Sequence, residues 1–90
     1  MSLPQPSRTK FTIYGAKWCP YCTKATDLLT EKRYQYNFVD IDSLDKSQKQ
    51  QLTAMSGMTT IPVIYCQGDL IGGYTDLVSE LSELSELSEQ

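Results

Sequence analysis

The chain has 90 residues, 40% of them hydrophobic, enough to bury one small core and not two, so a single domain is expected. Its net charge of -3 is uneven: residues 76–90 hold one Asp and four Glu without a cation, whereas residues 1–75 hold eight Lys or Arg against six acids. So small a basic surplus, without an arginine-rich stripe or aromatic platform, excludes nucleic acid as a partner, and no apolar run approaches the roughly eighteen residues of a membrane span.

Residues 1–9, with Pro4 and Pro6 and little apolar content, predict a flexible lead-in that lacks a hydrophobic signal region. The stretch "KFTIYG", residues 10–15, alternates and is rich in β-branched and aromatic residues, so it predicts a strand stopped by Gly15. After a short loop, "PYCTKATDLLTEKR" from Pro20 supplies helix formers, apolar Tyr21, Ala25, Leu28 and Leu29, and a proline where a first turn tolerates one. Residues 34–42, "YQYNFVDID", carry Tyr34, Tyr36, Phe38 and Ile41 on one rhythm and predict the second strand. Residues 43–57 then offer a Ser or Asp cap, apolar Leu44, Leu52 and Met55, and a terminal glycine, the marks of a second helix. In residues 60–73 two short strands surround Gln67, Gly68 and Asp69, a hairpin by its turn residues. The last segment, "TDLVSELSELSELSEQ", predicts a helix capped by Thr75 or Asp76.

The order βαβαββα follows. A helix between two strands implies a right-handed parallel crossover, and the hairpin adds an antiparallel strand, giving a four-stranded mixed sheet with helices on both faces. The domain is expected over residues 10–84. The terminal "SEL" repeat has a period of three, so its leucines step around a helix of 3.6 residues per turn without forming one stripe. Leu77, Leu81 and Leu84 are expected in the core, Leu87 outside it, and residues 85–90 as a frayed, acidic, solubilising tail.

Three cysteines, Cys19, Cys22 and Cys66, and no histidine make a poor disulfide framework and cannot close a tetrahedral zinc site within one chain. A Cys-x-x-Cys can grip a metal, staple a loop or cycle between dithiol and disulfide. Here its context is a strand leading into a helix. Cys19 falls at that helix's N-terminus, where unpaired N–H groups, the positive end of the macrodipole and nearby Lys17 favour a thiolate. Cys22 lies one turn further in, shielded but able to attack the same sulfur. Such inequality suits thiol–disulfide exchange, which needs a nucleophile that leaves easily and a resolving thiol that waits. Cys66, in a strand without such a setting, reads as a small core residue.

These residues resemble a known family. "CPYC" (19–22) after a strand, "TIP" (60–62) opening a later strand and "GGYTD" (72–76) before the last helix are together similar to a dithiol glutaredoxin of the thioredoxin-fold superfamily. The resemblance implies a thioredoxin-like α/β fold and a cytoplasmic, monomeric enzyme. It implies reduction of protein disulfides and protein–glutathione mixed disulfides with glutathione as reductant, no metal, and partners that include ribonucleotide reductase. It also implies that Pro62 is a cis-proline whose geometry turns the backbone of Ile61, after Thr60, toward the substrate. Gly73 and Tyr74 would approach the ligand. Thr75 and Asp76 would take the carboxylate and ammonium of its γ-glutamyl end. Tyr21 and Trp18 would line the site as apolar walls, and Lys17 and Lys49 would serve the glycine carboxylate. Many glutaredoxins place a cation three residues before the first cysteine; here that residue is Ala16, and Lys17 stands one later. Trp18 before the motif has a thioredoxin flavour, which keeps a redoxin fed by a flavin reductase as an alternative. A different class of function, an iron–sulfur cluster bridged by two copies through Cys19 and glutathione, is disfavoured by the rigid ring of Pro20 beside that sulfur.

Overall fold

In the computed structural model the described residues are 2–88, with side chains described as far as Ser82; the expected placements of the Leu84 and Leu87 side chains, and residues 89–90 of the acidic tail, lie outside what is described. The elements run β1 (Phe11–Gly15), α1 (Pro20–Glu31), β2 (Tyr36–Asp40), a 3-10 turn (Ile41–Ser43), α2 (Lys46–Ser56), β3 (Val63–Cys66), β4 (Asp69–Gly72) and α3 (Tyr74–Ser88). The sheet order is β2-β1-β3-β4. β1 runs parallel to β2 and antiparallel to β3, and β3 and β4 form the antiparallel hairpin. The mixed sheet and the order βαβαββα are those the residues predict.

Alternation along β1 divides the core between the two faces of the sheet. Phe11 and Ile13 point with Ile64 toward Ala25 and Leu29 of α1 and Leu77 and Leu81 of α3. Tyr14, Val63 and Tyr65 point the other way, against Leu52 of α2. All of β1 is buried because it has a strand on each side and helices above and below. The lead-in is not free of the domain as its prolines predict: Leu3 is buried in the α2-side cluster, and the Tyr14 hydroxyl donates to the Pro4 carbonyl at 2.7 Å. Leu3 fills apolar space that α2 leaves uncovered, and Gln48 Nε2 donates to the Ser2 carbonyl beside it.

Several boundaries move for local reasons. The buried stripe of α1 is Cys22, Ala25 and Leu29, at helical spacing, so Tyr21 is turned outward. α1 ends two residues earlier than its helix formers predict, in a Schellman arrangement: Arg33 N–H donates to the Thr30 carbonyl at 3.0 Å and Tyr34 N–H to that of Leu29 at 2.9 Å. Arg33 therefore adopts φ +65°, and Tyr34 lies outside β2, edge-on to Phe11 at 5.3 Å between centroids. Ile41 falls out of the Tyr36–Phe38 rhythm because the chain has entered the 3-10 turn. α2 opens on Asp45, whose carboxylate accepts from Gln48 N–H at 2.7 Å while Gln48 Oε1 accepts from Asp45 N–H at 2.9 Å, a reciprocal capping box.

Candidate active site

Cys19 is the N-cap of α1, with φ -87° and ψ 117° and no side-chain hydrogen bond to the first turn; Pro20 follows as the first helical residue. The strand-to-helix corner is held by Cys19 N–H donating to the Ala16 carbonyl at 3.2 Å. The helix N-terminal amides are thereby left for charge that develops at the Cys19 sulfur. Cys19 is sheltered rather than open to solvent. It is only 6% exposed, because it packs with Ala16 and Cys22 in a small cluster roofed by Phe38, Ile41 and Ile61. Its neighbours in sequence carry the exposure instead, Trp18 at 68% and Tyr21 at 55%.

Cys22 is fully enclosed. Burial, first, and then its hydrogen bond to the Cys19 sulfur push its thiol up to about 12, against a smaller opposing pull from a backbone hydrogen bond at Ala16. At neutral pH it therefore stays protonated, a donor toward Cys19. Gly15 makes room for this packing. It is the last residue of β1, as expected, and pairs with Asp40, and a β-carbon there would sit 2.6 Å from Cys22 Sγ. The requirement for glycine is a close approach of helix to strand.

The other expected residues divide into those the fold gathers and those it leaves apart. Ile61 packs on the cysteine cluster, and the Ile61–Pro62 peptide is cis. Gly73 adjoins this segment, since a β-carbon on it would lie 3.9 Å from the Pro62 carbonyl. Tyr74 meets Tyr21 at 5.9 Å between ring centroids. Thr75 and Asp76 are exposed in the first turn of α3, but neither is its cap. Leu77 N–H donates to the Gly73 carbonyl at 3.0 Å, so the helix starts earlier, and Asp76 Oδ2 reaches back to accept from Gly73 N–H at 3.0 Å. Gly72, at φ +128°, has the Asp76 carboxylate where a β-carbon would be. Thr60 is exposed ahead of Ile61. Lys17 lines a recess of about 280 Å³ with Cys22, Thr23, Thr26, Tyr36 and Phe38, on the β2 side of α1 and away from Pro62 and Gly73. Lys49 is exposed on α2, a helix whose inward residues face the opposite side of the sheet from α1.

Two contacts escaped the sequence reading. Lys24 Nζ lies over the Tyr21 ring, 5.1 Å from its centroid, a pair that the i, i+3 spacing on α1 could have signalled. The Trp18 indole N–H donates to Asp42 Oδ2 at 2.8 Å, across a separation in sequence that carries no local signal.

The chain matches the Glutaredoxin family model over residues 11–71. It is 38% identical over 78 residues to glutaredoxin 1 of Escherichia coli strain K12, a match covering 79% of this chain and 91% of that protein. Among solved structures it resembles reduced glutaredoxin C1 from Populus tremula x tremuloides, with TM-score 0.78 at 25% identity, covering 90% of this chain and 71% of that one. It also resembles the buckwheat glutaredoxin–glutathione complex, with TM-score 0.76 at 18% identity, covering 82% and 69%, a likeness of fold. The fold is thioredoxin-like, shared with glutaredoxins.

Proposed function

The chain belongs to the glutaredoxin family and is a thiol–disulfide oxidoreductase, and from that premise we propose that glutathione is its reductant and that it reduces protein–glutathione mixed disulfides and protein disulfides. The observation that carries this reading is the inequality of the two thiols: Cys19 on the helix end, Cys22 one turn inside with its thiol pushed up to about 12. The Cys19 thiolate attacks the glutathione sulfur of a mixed disulfide; the protein thiolate departs with the electron pair and takes up a proton. A glutathione thiolate then attacks the glutathionyl sulfur on Cys19, releasing glutathione disulfide and restoring Cys19. On a protein disulfide, Cys19 forms the mixed intermediate. Cys22 then gives up its proton and attacks the Cys19 sulfur, so the substrate leaves as dithiol and the Cys19–Cys22 disulfide awaits two glutathiones.

The groups gathered around Cys19 fit a γ-glutamyl ligand. First-turn N–H groups of α3 at Thr75 and Asp76 suit a carboxylate, and the exposed Asp76 carboxylate suits an ammonium. Ile61 offers backbone for strand-like pairing, with Thr60 and Pro62 holding it, and Gly73, Tyr74 and Tyr21 form the adjoining wall. The glycine carboxylate is assigned to Lys17 and Lys49, both exposed. The setting is the cytoplasm and the working form a monomer, with disulfide-bonded proteins as partners, among them a reductase such as ribonucleotide reductase that ends each turnover with an internal disulfide. Three free cysteines in so short a chain accord with a reducing compartment.

The test is reduction of a glutathionylated peptide with glutathione, glutathione reductase and NADPH by wild type, Cys19→Ser and Cys22→Ser. Turnover by wild type and Cys22→Ser, with Cys19→Ser inactive, is expected. Activity driven only by a flavin-dependent thioredoxin reductase would transfer the assignment to a thioredoxin-like electron donor, the reading that Trp18 before Cys19 favours.

A further inference from the structure

Among the described large apolar side chains Trp18 is the most exposed, at 68%, yet it is not loose. Its indole N–H is held by Asp42 Oδ2 at 2.8 Å. Asp42 in turn sits in the 3-10 turn after β2, where its N–H donates to Asp40 Oδ1 at 2.9 Å and Ser43 Oγ donates to the Asp40 carbonyl at 2.6 Å. Both members of the Trp18–Asp42 pair are exposed, so the bond adds little to the stability of the core. What it does is keep one apolar plane in one orientation beside Cys19. An exposed, pre-oriented aromatic with a polar rim suits contact with another molecule.

The strand order tells which molecule. Pro62 leads into β3 and Gly73 follows β4, on one side of β1, whereas Asp42 follows β2 on the other. A disulfide substrate has two limbs, and the γ-glutamyl end of the glutathione limb is assigned above to the β3–β4 side. We propose that Asp42 is a positioning residue that holds the Trp18 indole as the docking platform for the polypeptide limb, taking an apolar side chain next to the substrate cysteine. The proposal rests on the glutathione reading for the opposite limb, and it makes the Trp18–Asp42 pair a determinant of protein over small-molecule disulfides.

Trp18 is the only tryptophan of the chain, so its emission reports on the platform directly. In the Cys22→Ser protein, Cys19 is loaded from a short cysteine peptide, or from glutathione, whose sulfur carries 5-thio-2-nitrobenzoate. The Cys19 thiolate forms the new disulfide, and the yellow nitrothiobenzoate thiolate leaves with the electron pair and counts the reaction. Iodide quenching of Trp18 should fall about twofold in the peptide adduct and stay near its free value in the glutathione adduct, as burial of an exposed ring by one partner requires. Asp42→Ala should abolish the protection, and Asp42→Asn, which keeps an oxygen acceptor for the indole, should restore it.

In turnover, Asp42→Ala should raise KM for a glutathionylated peptide about fivefold, the scale of one aromatic contact, with kcat within about twofold. KM for the mixed disulfide of glutathione and 2-mercaptoethanol should not move. Equal shielding by both adducts, or an equal rise in KM for both substrates, would overturn the proposal and make the indole a support for Cys19 or a wall for glutathione. Absence of glutathione-driven turnover in wild type would defeat the preceding functional reading alone, because adduct quenching requires no turnover and still decides whether peptide covers Trp18.

Discussion

Substituting Gly15 by alanine tests the packing that makes the two thiols unequal. The added β-carbon would lie 2.6 Å from Cys22 Sγ, 3.1 Å from Cys22 Cβ and 3.5 Å from Phe38 Cε2. Non-bonded heavy atoms rest about 3.5–4.0 Å apart, so Cys22 must retreat by about 1 Å. It has little room to do so, being 1% exposed and packed with Ala16, Cys19 and Phe38. Overpacking of this kind costs about 1–3 kcal/mol, and the reduced freedom of the unfolded chain offsets about 0.4–1 kcal/mol of it. A net loss near 1 kcal/mol should lower Tm by about 4–8 °C for a domain of this size. The displacement should also separate two activities. On the proposed mechanism, reduction of a glutathionylated peptide through Cys19 alone should stay within about twofold, whereas reduction of a protein disulfide should fall about tenfold because Cys22 no longer meets the Cys19 sulfur in line. Urea unfolding and the two reductions, run in parallel, are the assay. A Gly15→Ala protein with wild-type stability and both activities intact would refute the reasoning, because Cys22 would then be free to move.

Three further outcomes are expected. Cys22 ionises near 9.0 in the unfolded chain and about 12 in the fold, so the folded state holds this proton more tightly; the stability it contributes is complete below pH 9 and is lost as pH rises toward 12. Between pH 7 and 10 this amounts to about 1.4 kcal/mol. Urea unfolding at the two pH values should show that loss in wild type and a smaller one in Cys22→Ser; an equal loss in both denies the assignment. Arg33 occupies the left-handed position of the α1 C-terminus at φ +65°, so Arg33→Gly should stabilise the fold by about 0.5–1 kcal/mol in chemical denaturation, and a destabilised variant would show that the side chain holds the turn. Asp76→Asn keeps an acceptor for Gly73 N–H but removes the charge. It should leave unfolding within about 0.5 kcal/mol of wild type while raising KM for glutathione about tenfold; unchanged KM would remove Asp76 from the ligand site.

Much of the fold is written locally. The alternation of residues 11–15, the cap at Asp45 with its partner at Gln48, the left-handed Gly57 closing α2, and the left-handed Gln67 and Gly68 between β3 and β4 act within a few residues of themselves. So does the placement of Cys19 on a helix N-terminus with Cys22 one turn inside, which the strand, the Cys-x-x-Cys spacing and Pro20 state together. Where local reading missed, the cause lay in neighbours distant along the chain. Leu3 looked unattached until the α2-side core had space for it, and Asp76 looked like a cap until Gly73 turned out to be one.

The residue pattern alone thus determined the order of elements, the class of chemistry and the placement of two cysteines one turn apart at a helix end, because periodicity, capping and motif spacing are short-range properties of a chain. Tertiary structure decided the rest: that Gly15 must be glycine because Cys22 packs against it, that Cys19 is sheltered while Trp18 and Tyr21 are open, and that Asp42 holds the indole. Each of these depends on which strands become neighbours. The β2-β1-β3-β4 order brings the segments after β2 and before β3 to either side of one helix end, a proximity that no window of adjacent residues contains.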